Sequence, residues 1–97
     1  MSEYARVAIF EVDDAALDAI IAQISATDAP PEGVPGTRIT VLADRAGGKV
    51  AISVRFASEE DMAKGSAVLE SMDPPENANM RRVSVDKFEV VIDKQPS

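Results

Sequence analysis

The feature that most constrains this chain is the order in which its apolar residues change period. They recur in short β-branched runs at 5–12, at helical spacing over 14–26, in two more short runs at 37–44 and 49–56, at helical spacing from 58, and in a last run at 81–93. A two-residue period marks a strand and a 3.6-residue period an amphipathic helix. The order is therefore β-α-β-β-α-β.

Ala5 to Val12 (Ala-Arg-Val-Ala-Ile-Phe-Glu-Val) is apolar on both faces, with Val7 and Ile9 pointing one way and Ala8, Phe10 and Val12 the other. Such a strand is expected to be buried on both sides. Asp13 and Asp14 then offer carboxylates to the free amides of a first helical turn. Leu17, Ile20, Ile21 and Ile24 form one stripe of a helix near Asp14 to Ala26. Ala29 to Gly36 holds three prolines and two glycines and reads as a loop.

Thr37 to Asp44 and Lys49 to Phe56 flank Arg45-Ala46-Gly47-Gly48, a hairpin signal. A two-residue Gly47-Gly48 turn would pair Ile39 with Phe56; a four-residue loop would pair Asp44 with Lys49. Either register puts Ile39, Val41, Ile52, Val54 and Phe56 on one face. Arg38, Thr40, Leu42, Ala51, Ser53 and Arg55 fall on the other. Ser58-Glu59-Glu60-Asp61 opens the second helix as a near capping box. Its stripe is Met62, Gly65, Val68, Leu69 and Met72; a glycine there suggests close approach to the sheet. Asp73-Pro74-Pro75 ends the helix, and Glu76 to Met80 reads as a polar loop. In the last strand, Arg81 to Asp93, the apolar phase shifts from Val83 and Val85 to Phe88, Val90 and Ile92, which predicts a bulge near Asp86-Lys87.

Two right-handed β-α-β crossovers in this order give a ferredoxin-like α+β domain over residues 1–97, an antiparallel sheet with both helices on one face. The other face keeps uncovered either Val7 and Ile9 or Ala8, Phe10 and Val12 of the first strand, with Leu42 and part of Val85/Val91 or Phe88/Val90. At about 25 cal/mol per Å², leaving it wet forgoes several kcal/mol. Soluble monomers rarely show such a patch, and a two-fold homodimer packing sheet on sheet removes it. A chain of 97 residues gains from that added burial, because a lone domain of this size buries only about 60–65% of its unfolded surface.

Composition excludes several functions. There is no Cys and no His, which removes disulfides, a thiol nucleophile, the commonest general base and most zinc chemistry. A net charge of −7 with scattered basic residues argues against nucleic acid. The opening Met-Ser-Glu-Tyr and the want of a long apolar stretch read as neither signal peptide nor membrane span, so a cytoplasmic location is expected.

The element order, Pro35-Gly36 before the second strand, Val41-Leu42-Ala43-Asp44-Arg45 with Gly47-Gly48, and Phe56-Ala57-Ser58-Glu59-Glu60-Asp61-Met62 at the strand-to-helix junction together resemble the dimeric α/β-barrel superfamily, in its antibiotic-biosynthesis-monooxygenase-like group. The resemblance spans nearly the whole chain and rests on scaffold motifs. It implies a homodimer with a small-molecule pocket between each sheet and its helices or across the barrel; no cofactor is expected for this chain. Some members are cofactor-independent oxygenases and some degrade haem with an Asn, a Trp and a His. With no Trp and no His here, haem degradation is not carried over.

Arg38, Thr40, Ser53 and Arg55 share one hairpin face. Two guanidiniums and two hydroxyls there could bind a carboxylate or polarise an enolate; ion pairs with acids such as Glu11 or Asp86, or with a partner chain, are the structural alternative. Tyr4 with Arg6 is a second candidate, through a phenol that can donate a hydrogen bond; a tyrosine near a terminus more often serves packing. Glu59, Glu60 and Asp61 are explained by the helix dipole and imply no metal. Glu89 and Asp93 read as edge charges that discourage aggregation. The expectation is a small-molecule-binding homodimer. The alternatives are a cofactor-independent monooxygenase of an aromatic or polyketide-like substrate, and a structural or regulatory dimer without a pocket.

Overall fold

The structure, a computed structural model, describes residues 2–26, 33–71 and 80–96. Each sequence period resolves into an element: β1 (Tyr4–Val12), α1 (Asp14–Ser25), β2 (Gly36–Asp44), β3 (Lys49–Phe56), α2 (Glu59–Glu70) and β4 (Met80–Glu89). The four strands form one antiparallel sheet in the order β2-β3-β1-β4. This α+β arrangement is compatible with a ferredoxin-like fold. Part of the expected loop at 29–36, Met72, the Asp73-Pro74-Pro75 stop and the loop at 76–79 lie outside the described residues.

Local chemistry sets the helix starts. Asp13 Oδ1 accepts from the Ala16 amide at 2.7 Å, and Ser58 Oγ from the Asp61 amide at 3.1 Å. Each satisfies one of the orphan donors of a first turn. At the end of α2 the Ser71 hydroxyl donates to the Val68 carbonyl at 2.6 Å.

Both apolar clusters involve the face of β1 that carries its even-numbered residues. Under α2 lie Val34, Val54 and Phe56 with Met62, joined by Tyr4, Val68 and Leu69. Under α1 lie Val12 and Val50 with Leu17, joined by Phe10, Ile20 and Val41. At Gly65 α2 comes close to the sheet. A Cβ there would stand 2.7 Å from Phe56 Cζ, well inside contact distance.

The hairpin takes the four-residue loop, with Asp44 opposite Lys49, Ile39 opposite Val54 and Val41 opposite Ile52. The Asp44 carboxylate accepts from the Gly47 amide at 2.9 Å, and Gly48 sits at φ 66, which glycine adopts without strain. Those two features favour the longer loop over a two-residue turn.

Strand β4 differs from expectation in two ways. Its bulge lies at Val83, not near Asp86-Lys87: Ser84 pairs with Ile9 and Arg82 with Phe10, leaving Val83 between them. From Ser84 to Glu89 the alternation is unbroken, which puts Val85 towards the helices and Phe88 away from them. The strand also ends at Glu89, before Asp93. Its neighbour β1 begins at Tyr4, so after the Val90 amide donates to the Glu3 carbonyl at 2.8 Å no partner strand remains.

Candidate functional site

Strand register sorts the helix-free face into four rows running across β2, β3, β1 and β4. The first is Arg38, Arg55, Ala5 and Phe88; the second is Thr40, Ser53, Val7 and Asp86. The third is Leu42, Ala51, Ile9 and Ser84; the fourth is Asp44, Lys49, Glu11 and Arg81. Each row has a different chemistry, and the expected apolar patch is narrower than the face: Val7, Ile9, Leu42 and Phe88 share it with charged and hydroxyl side chains, because the outward positions of β2 and β3 are mostly polar. The fourth alternates in sign across the sheet, and Arg81 donates to Glu11 at 2.8 Å. The third is apolar over three strands, with Leu42 60% exposed. The second sets two hydroxyls side by side. The first places two guanidiniums on adjacent strands, with Ala5 between them and a Phe88 that is 53% exposed.

All four residues singled out from the sequence therefore meet on this face, Arg38 opposite Arg55 and Thr40 opposite Ser53. The two arginines differ in their surroundings. Arg55 donates to Asp93 at 3.0 Å and to Glu3 at 3.1 Å. The Asp93 hydrogen bond, then that of Glu3, strengthens its hold on its proton against the opposing effect of burial. Arg38 is exposed, and no described carboxylate lies within ion-pair distance of it. The acids named as alternatives are placed elsewhere: Glu11 pairs with Arg81, and Asp86 stands two rows from Arg81 on the same strand. Asp93 is no edge charge on a strand; it ties the segment after β4 to β3 through Arg55.

Two concavities adjoin this face. One, of about 260 Å³, overlies Ile9, Leu42 and Ala51 and is bounded by Asp44 and Lys49. The other, of about 790 Å³, opens at the sheet end between Gly48, Lys49, Met80 and Arg81. Arg38, Thr40, Ser53 and Arg55 line neither.

Tyr4 and Arg6 face the helices. Tyr4 packs on the Phe56 cluster, and partial burial, then the nearby Glu59 and Glu89 carboxylates, push its phenol pKa up. Arg6 is 5% exposed; its Nε donates to Ser66 Oγ at 3.2 Å and its guanidinium to Glu70 at 2.9 Å. Glu70 also meets Arg82 at 3.2 Å, and the Arg6 hydrogen bond holds its carboxyl below the usual range. This buried cation with its hydroxyl and carboxylate partners fastens α2 to the sheet. Sequence reasoning missed it. The usable signal was an arginine on a strand face otherwise lined with Ala8, Phe10 and Val12, together with Ser66 and Glu70 four residues apart on one helix face. In the acid cluster, Glu60 pairs with Lys64 at 3.4 Å along the helix.

Comparison with protein-family models, with curated proteins and with solved structures found no match.

Proposed function

We propose that the chain works as a homodimer in which two helix-free sheet faces pack together and hold a small molecule between them. The observation that carries this is the uncovered row of Leu42, Ala51 and Ile9, with Phe88 exposed two rows away on the same face. No described element of the chain lies over it. The resemblance to dimeric α/β-barrel proteins supports the same reading.

Packed sheets stand about 10 Å apart. Phe88 can fill that gap from both sides at the edge of the face, and Leu42 and Ile9 fill it only in part. Thr40, Ser53 and Ala51 are too short to do so, which leaves room for a ligand at the middle of the face. Four strands roughly 4.8 Å apart, eight to ten residues long, make a face of about 20 by 30 Å. With side-chain relief, that approaches the roughly 800 Å² per partner of a standard interface.

Light scattering at micromolar concentration tests the assembly: a species of twice 10.3 kDa is expected, and a 10.3 kDa species refutes it.

A further inference from the structure

Arg38 and Arg55 stand directly opposite each other across the β2–β3 ladder. Like charges in that position repel and destabilise the sheet. For Arg55 the cost is offset by Glu3 and Asp93, at 3.1 and 3.0 Å. For Arg38 no described carboxylate does the same, although the chain as a whole carries a net charge of −7. A guanidinium offers a fork of donors that matches a carboxylate. The Thr40 and Ser53 hydroxyls stand one row away, about 7 Å along the strands, within reach of the same anion. One row further, the concavity of about 260 Å³ over Leu42, Ala51 and Ile9 is an apolar seat on the same face.

We infer that the ligand of this face is an amphipathic carboxylate, its acid on Arg38 and the Thr40–Ser53 hydroxyls and its apolar body over Leu42, Ala51 and Ile9. This deepens the dimeric binding reading and rests on it. Four residues of strand separate the first row from the third, about 13 Å. An extended arginine spans part of that length, so a body of one or two fused rings fits. The charge makes the specificity: a neutral molecule of the same shape leaves the Arg38 guanidinium without a carboxylate.

The probes are 2-naphthoate and 2-naphthamide, alike in shape and different in charge. Binding to the full chain is measured by calorimetry, with light scattering on the same samples. The wild type is expected to bind naphthoate at least tenfold more tightly than naphthamide. Arg38→Gln is expected to weaken naphthoate binding enough to remove that preference while leaving the dimer mass unchanged. Equal affinity for the two probes in the wild type, no binding of either, or an undiminished preference in Arg38→Gln each overturns the inference. Dissociation of the Arg38→Gln dimer also overturns it, because Arg38 would then serve a carboxylate of the partner. A monomeric wild type is read separately, from the light scattering, and sinks the dimer itself.

Discussion

Replacing Gly65 with alanine sets two effects against each other on α2. In a helix interior alanine is better than glycine by about 1 kcal/mol, so an unobstructed site would be stabilised. Here the added Cβ would lie 2.7 Å from Phe56 Cζ, closer still to Phe56 Cε1, and 3.2 Å from Val34 Cγ1. Ordinary carbon contacts are about 3.5–4.0 Å, so ring and helix must separate by roughly 1 Å. Phe56 is 0% exposed and Val34 is buried, so neither has free volume to enter. Overpacking of this kind costs about 1–3 kcal/mol. With a rigid ring as the obstacle we take the upper end, and after the helix gain the net loss is about 2 kcal/mol. For a domain of this length that lowers Tm by roughly 8–16 °C. Urea unfolding of both proteins at one fixed protein concentration measures it, because assembly would otherwise shift the midpoint. Phe56→Leu made in the Gly65→Ala background is expected to cost less than in the wild type, since it removes the obstructing ring edge. A Gly65→Ala protein as stable as the wild type, or more stable, would refute the packing argument.

Ser58→Ala should cost about 1 kcal/mol by removing the acceptor for the Asp61 amide, and Ser58→Gly only a few tenths; equal losses in urea unfolding would mean the hydroxyl is not the cap. Glu70→Gln tests the fastening of Arg6. Because the folded carboxyl lies below its ordinary value of 4.5, its contribution is complete above that value and is lost as pH falls through the lower folded one. The Tm gap between wild type and Glu70→Gln should therefore be widest near neutral pH and close in acid; a gap independent of pH contradicts the pairing. Leu42→Asp places a charge in the apolar row of a residue that is 60% exposed in the single chain, so it should leave the fold intact and lower the light-scattering mass towards 10.3 kDa. An undiminished mass would move the interface elsewhere.

The candidate site was legible in part. Period two along β2 and β3 puts Arg38, Thr40, Ser53 and Arg55 on one face whatever the hairpin register, and the structure keeps them there. The partners of Arg55 were not legible. Glu3 and Asp93 lie 52 and 38 residues away in sequence, among many acids with equal claim, and the choice depends on where β1 begins and β4 leaves the sheet.

What the sequence determined by itself is local: the element order and the caps at Asp13 and Ser58. These follow from periodicity and from side chains reaching their own backbone, which require only near neighbours. Tertiary structure alone decided which face of β1 the helices cover, because Val7 and Ile9 are as apolar as Ala8 and Phe10. It also decided that Arg6 would be buried against Ser66 and Glu70, and that the bulge would fall at Val83. Each of those outcomes is a competition between distant segments for one surface, and only the packed molecule brings the competitors together.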